Sequence, residues 1–338
     1  MKPVIAITVG DYNGIGPEVS LKAIGAPLVR RICTPVLVGP LNVFDRVAAR
    51  CALRVRLLPY PSASGARGRT VQVLEPGDGS PVRYRPGRLS ASAGAAAGAA
   101  VRASVSLVLA GGARALVTAP VSKHALHLAG INVPGQTELL QRLTHSPHVA
   151  MMLVSASLRV GLVTIHTPLR KVPRELTARL LRERVTVIER ALRSDWRIRS
   201  PRLAVLALNP HAGEGGDIGN EEQRVIIPVI ASLREEGMRL EGPFPADAFF
   251  ARYSPGSYDA VIAMYHDQGL IPLKMSARGR AVNVSVGLPL VRTSPDHGTA
   301  FDIAGRSIAD PGSMIEAIRA AVTLAARRRG GPAREAVP

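Results

Sequence analysis

Short unbroken apolar runs, rather than strict alternation of apolar and polar positions, set the rhythm of this chain. Residues 159–165, 203–210 and 260–265 are three such runs, and they deliver His166, His211 and His266 respectively. Runs of this kind predict parallel strands buried on both faces. Further strands are predicted at 4–9, 36–39 and 115–118. Helical patterns fill the intervals. One helix opens at Pro17-Glu18, with proline at the first helical position and an acid in the first turn. An alanine-rich helix is predicted from Ser90, its cap, to Gly111-Gly112, its stop. Others are predicted at about 173–193, 219–236 and 311–328. Strand–helix alternation predicts an α/β fold with mainly parallel sheets. The 338 residues suffice for two lobes, and with no linker between them the chain is expected to cross more than once.

Composition adjusts this picture at a few points. The net charge of +18 raises nucleic-acid binding as a possibility. However, 38 of the 43 basic residues are arginines, they are scattered rather than lined up, and aromatics are only 4%. That reads as compositional bias, and it makes the few lysines informative: Lys123 and Lys274 mark places where a compact ammonium is needed. Residues 59–81 read as a surface excursion, and the tail from Ala326 reads as unstructured. The N-terminal apolar run is too short for a signal peptide. No run approaches the ~20 apolar residues of a membrane span. Two cysteines, Cys33 and Cys51, fit free thiols in a reducing cytoplasm, which is the expected location.

Ligands of open α/β sheets bind beyond the carboxyl ends of the strands. One histidine there usually caps a strand or pairs with a carboxylate; three histidines at three strand ends are expected to converge. Three neutral imidazoles suit a divalent metal with positions left open for substrate. Zinc fits best, while cobalt, manganese or magnesium could serve. The loop Gly14-Ile15-Gly16-Pro17 offers a G-x-G, but it lacks a third glycine and Pro17 removes a donor. It reads as a tight turn rather than a pyrophosphate cradle. Residues 209–217, with three glycines, His211 and two acids, suit a ligand loop. Asp267 and Asp247 are candidates for proton transfer or, equally, helix caps. Lys274, Asn283 and Arg292, joined by Gln136 and Thr137, have the chemistry of a phosphate or carboxylate cradle.

These strings together resemble a known family. Gly10-Asp11 with Asn13-Gly14-Ile15-Gly16-Pro17-Glu18, Thr118-Ala119-Pro120-Val121-Ser122-Lys123, Asn209-Pro210-His211-Ala212-Gly213-Glu214, Tyr265-His266-Asp267-Gln268-Gly269 and Ser294-Pro295-Asp296-His297-Gly298-Thr299-Ala300 carry the resemblance. They are similar, in order and from about residue 4 to 325, to the PdxA family of 4-hydroxythreonine-4-phosphate dehydrogenases in pyridoxal phosphate biosynthesis. The resemblance implies a two-lobed fold like isocitrate and isopropylmalate dehydrogenases, with the active site in a cleft. The expected lobes are 1–128 plus 296–338 and 129–295, the second carrying the metal and substrate residues. It further implies a homodimer sharing its site, metal bound by His166, His211 and His266 with one histidine donated across the dimer, and substrate held by Lys274, Asn283, Arg292 and Thr137. The loop His297-Gly298-Thr299-Ala300 would meet NAD or NADP.

The implied reaction oxidises 4-phosphooxy-L-threonine to 2-amino-3-oxo-4-phosphooxybutanoate, which decarboxylates to 3-amino-2-oxopropyl phosphate. One departure bears on substrate: many members have histidine where this chain has Gln136, which cannot carry positive charge. Oxidation of D-threonate or D-erythronate 4-phosphate, or of a dihydrodiol, therefore stays open, as do acyl transfer and metal-dependent hydrolysis on a similar scaffold.

Overall fold

The N-terminal apolar run forms β1 (Val4–Thr8), buried from its second residue onward. β2 (Thr34–Val38), β3 (Arg56–Pro59), β4 (Thr70–Leu74) and β5 (Ala115–Val117) follow, with helices between most of them. Residues 147–287 then carry β6 (Ala150–Val154), β7 (Arg159–Leu162), β8 (Arg202–Leu206), β9 (Arg239–Phe244), β10 (Ala260–Ala263) and β11 (Val282–Val286). The chain returns as β12 (Arg292–Pro295), which pairs in parallel with β5 through Arg292↔Leu116 and Thr293↔Val117. This computed structural model describes residues 2–62 and 69–328. It divides into two units, Met1–Ser146 with Leu288–Pro338, and Pro147–Gly287.

The first unit has strand order β3-β4-β2-β1-β5-β12, all parallel. The second has order β11-β6-β7-β10-β8-β9, with β6 antiparallel to both neighbours and the rest parallel. The α/β class and the mainly parallel sheets are those that the apolar runs predict. β7, β10 and β8, the strands preceding His166, His266 and His211, are neighbours, and their central residues are fully buried.

Several expected boundaries shift. The first unit extends to 146 and resumes at 288, not 128 and 296. The reason is pairing and packing: β12 adds to β5, and the helix Gln136–Leu143 packs on Ala91–Leu109. Gln136, Thr137 and Arg292 therefore belong to the first unit rather than the second. The excursion at 59–81 contains β4, whose Val71 and Val73 are buried between β2 and β3; its residues 63–68, and the tail from 329, lie outside the described residues. The helix expected at 173–193 is two, Val172–Glu175 and Ala178–Ser194, because Thr177 interrupts the first and caps the second by accepting from the Leu180 N–H. The helix expected at 219–236 starts later, as a π-type turn (Glu222–Ile226) followed by Ile227–Glu235.

Ala91–Leu109 begins at the expected cap, Ser90 Oγ accepting from the Ala93 N–H at 3.2 Å. With 19 residues, it is also long and apolar enough to cross a membrane by length and composition. That departs from the sequence expectation. Its small residues give it a close-packed surface against β1 and the helix Lys123–Leu128, the surroundings of a core helix. Gly94 faces the Ala125 carbonyl so closely that a Cβ there would overlap it. We therefore expect Gly94→Ala to cost roughly 2–3 kcal/mol despite alanine's better helix propensity, a sign reversal that urea unfolding would read directly.

Candidate active site

β7 and β10 end beside one another, and the segments that leave them place two imidazoles together. His166 lies four residues beyond Leu162, and His266 is the first residue of the helix His266–Ala277. Their ring centroids are 6.1 Å apart. Metal–imidazole bonds of about 2.1 Å would hold two rings on one tetrahedral ion with centroids roughly 5.3 Å apart, so the pair fits a divalent ion in donor type and stands somewhat wider than a bound ion would hold it. His266 Nδ1 lies 2.7 Å from Asp267 Oδ1. A carboxylate there accepts the Nδ1 hydrogen and leaves Nε2 with its lone pair, the tautomer a metal ligand needs. Ile165, Thr167, Leu169, Val172 and Tyr265 complete, with His166, His266 and Asp267, the lining of a cavity of about 300 Å³.

His211 does not join them. Among the described residues no group of three His, Cys, Asp or Glu side chains is placed to hold a metal. His211 is exposed and opens a run of five left-handed residues, from His211 (φ 51°) to Gly215 (φ 73°). The run is pinned from below. Buried Glu222 accepts from the N–H groups of Leu208 and Asn209 at 2.7 and 2.8 Å, and from Asn209 Nδ2 at 2.9 Å. Gly213 has to be glycine, since a Cβ would come within 2.7 Å of Glu222 Oε2.

Each residue of Tyr265-His266-Asp267-Gln268-Gly269 beyond the first acquires a task. Gln268 is buried; its Oε1 accepts from the Met264 N–H at 2.7 Å and its Nε2 donates to the Ala207 carbonyl at 2.6 Å, tying β10 to β8. Gly269 lets the helix sit against its strands, for a Cβ would meet that of Ala263 at 2.9 Å. Lys274 is on the exposed side of the same helix, about 12 Å along its axis from His266, and does not line the cavity. Asn283, on β11, has a buried Oδ1 without a partner among the described residues. Asp247 is exposed in the first turn of Ala246–Arg252, a favourable place for an acid by itself, and does not line the cavity either.

The first unit holds the remaining candidates. Arg292 is 3% exposed, and Nε and Nη2 donate to Thr118 Oγ1 at 3.1 and 2.6 Å. Burial pushes its pKa down to about 10, with the Glu138 carboxylate opposing, so it is a cation at neutral pH. Gln136 Oε1 lies 3.4 Å from Arg292 Nη2, and Thr137 is buried next in sequence. The loop 297–300 folds over the first glycine-rich turn: the Ile15 N–H donates to the Thr299 carbonyl at 2.9 Å, and a Cβ on Gly14 would meet that oxygen at 2.7 Å. Asn13 spends its side chain on the Arg88 carbonyl, Ser90 Oγ and the Arg85 N–H. These groups of the turn are thus spent on the fold.

Residues 31–321 match the family of pyridoxal phosphate biosynthetic protein PdxA. The chain belongs to the PdxA family. It is 42% identical over 332 residues to a 4-hydroxythreonine-4-phosphate dehydrogenase of Trichlorobacter lovleyi, covering 97% of this chain and 99% of that one. It is 43% identical over 337 residues to a D-threonate 4-phosphate dehydrogenase of Cupriavidus necator, covering 96% and 98%. The crystal structure of a 4-hydroxythreonine-4-phosphate dehydrogenase from Klebsiella pneumoniae superposes with a TM-score of 0.87 at 39% identity, covering 96% of this chain and 98% of that one.

Sequence reading on this PdxA-family chain missed the tasks of Glu222, of Gln268 and of Thr164, whose N–H and Oγ1 donate to the Met264 carbonyl. Their signal is weak because each acts on backbone groups of a segment distant in sequence. It also passed over Asp11, which is fully buried with Oδ1 accepting from the Asn13 N–H at 3.0 Å and Oδ2 unpartnered among the described residues. Burial pushes this carboxyl up to about 6. The folded state therefore holds a proton that the unfolded chain releases near pH 4, and stability falls as pH rises from about 4 to 6. Asp11→Asn should remove that fall, a difference of roughly 3 kcal/mol at neutral pH, checked by urea unfolding at about pH 4 and pH 7.

Proposed function

We propose that this chain oxidises 4-phosphooxy-L-threonine with NAD or NADP, forming 2-amino-3-oxo-4-phosphooxybutanoate, which loses carbon dioxide to give 3-amino-2-oxopropyl phosphate. The observation that carries this reading is the pairing of His166 and His266 over a cavity, with Asp267 fixing the His266 ring. Full-length similarity to dehydrogenases of phosphorylated hydroxy acids supports it. His166, His211 and His266 are assigned as the metal ligands, zinc by preference, with one of them donated across the interface of a homodimer. A divalent ion so held supplies Lewis acidity that makes the substrate hydroxyl easier to deprotonate.

The chain's own residues do the rest. Arg292, cationic and held by Thr118, meets an anionic group of the substrate, and Thr137, Lys274 and Asn283 contribute hydrogen bonds. Asp267 orients His266 and takes up or relays the hydroxyl proton. The loop His297-Gly298-Thr299-Ala300 would hold the nicotinamide cofactor, which would supply the hydride acceptor for the same carbon. The 3-oxo acid then carries its carboxylate β to a ketone, so C–C cleavage leaves electrons that the carbonyl accepts as an enolate. A homodimer in the cytoplasm is the proposed working form. Ile271 and Met275, exposed by 59% and 76% and one turn apart on the helix that begins at His266, form an apolar surface suited to a partner subunit.

One observation favours a second reading. Gln136 brings no charge to the Arg292 neighbourhood, which leaves D-threonate 4-phosphate as the alternative substrate. Both are tested by NAD(P)H formation with metal-loaded protein. Turnover of the amino substrate that a chelator abolishes supports the first reading, and turnover of the sugar acid alone replaces it with the second. With the preferred substrate, Asp267→Asn should lower kcat by about 10- to 100-fold and weaken metal retention, measured by metal analysis after dialysis.

A further inference from the structure

The Gln136 amide is engaged at both ends. Its Nε2 donates to the Ala119 carbonyl at 3.1 Å, and its Oε1 lies 3.4 Å from Arg292 Nη2. Arg292 also donates through Nε and Nη2 to Thr118 Oγ1, whose residue is fully buried directly before Ala119. The guanidinium is thus steadied by at least two neutral oxygens, both tied to the chain around 118–119, and the Glu138 carboxylate acts on it as well. A primary amide suits this task because its polarity is fixed. It presents a donor to the backbone carbonyl and an acceptor to the cation, and it changes neither with pH. A carboxylate at 136 would face the Ala119 carbonyl with no hydrogen and would offset the charge of Arg292.

We propose that Gln136 is a positioning residue: it aims the Arg292 guanidinium at the substrate's anionic group and adds no charge of its own, without itself touching the substrate. This rests on the reading of Arg292 as the anion anchor in the proposed reaction. It explains how the chain keeps an anion-binding arginine without a second cation at this position. It also assigns discrimination at residue 136 to the geometry of Arg292 rather than to a direct contact.

A double-mutant cycle separates the two roles. KM for the phosphorylated substrate is measured in the wild type, Gln136→Met, Arg292→Met and the double variant, with Arg292→Lys as the corner should the methionine variant fail to fold. Gln136→Met should raise KM about 10-fold, more than it lowers kcat. In the Arg292 background the same change should matter by no more than about twofold, because the group it acts through is gone. Effects that multiply in the double variant, or a Gln136→Met enzyme with wild-type KM, would overturn the proposal. The same cycle on the Kd of inorganic phosphate, by calorimetry, needs no turnover. If the wild type oxidises neither phosphorylated acid while the phosphate cycle still shows the coupling, the proposed reaction fails and the positioning role stands. Absence of both turnover and phosphate binding removes both.

Discussion

Met264 sits where three parallel strands end, and the placement of the second unit's candidate ligands depends on how its two backbone groups are satisfied. Its carbonyl accepts from the Thr164 N–H and from Thr164 Oγ1, at 3.1 and 2.7 Å. Its N–H donates to Gln268, which in turn donates to the Ala207 carbonyl. All these groups are buried, and each left unpaired would cost about 1–3 kcal/mol. Strand ends normally release their chains to solvent. Here β7, β10 and β8 are laced together one or two residues past their last ladder pairs, so the segments carrying His166 and His266 depart from fixed points. The 6.1 Å separation of the two rings is a consequence of that lacing.

The His211 loop shows the opposite economy. Five consecutive left-handed residues include three that are not glycine, His211, Ala212 and Glu214, each costing roughly 1–2 kcal/mol of backbone strain. Charge-assisted hydrogen bonds from two backbone N–H groups and Asn209 to buried Glu222 offset it. The loop is held in an otherwise unfavourable shape by one carboxylate at the start of the following helix. Strain maintained in this way gathers at binding sites, where the shape matters more than its cost.

In the first unit the organising element is a buried cation. A guanidinium at 3% exposure is tolerable only with acceptors around it, and Thr118, directly after β5, supplies one at 2.6 Å. Because β12 pairs with β5, Arg292 and Thr118 are brought together by sheet register rather than by any local motif. The same unit stacks the loop 297–300 on the turn at 13–15, two strings more than 280 residues apart that share one hydrogen bond and one obligatory glycine.

Much of this is legible along the chain. The α/β class, the strands before the three histidines, the Ser90 cap and the two uncommitted cysteines follow from apolar runs, capping chemistry and composition, because these are local properties of neighbouring residues. Family membership is legible too, since several short strings in a fixed order specify it jointly. Other features were decided only by tertiary contact. A break at Thr177, a buried strand at 70–74 and the assignment of Gln136 and Arg292 to the first unit all depend on what packs against a segment. The tasks of Gln268, Glu222 and Gln136 depend on it as well, for an amide or carboxylate reads as a solvated group until a distant backbone N–H or carbonyl loses its water and needs a partner.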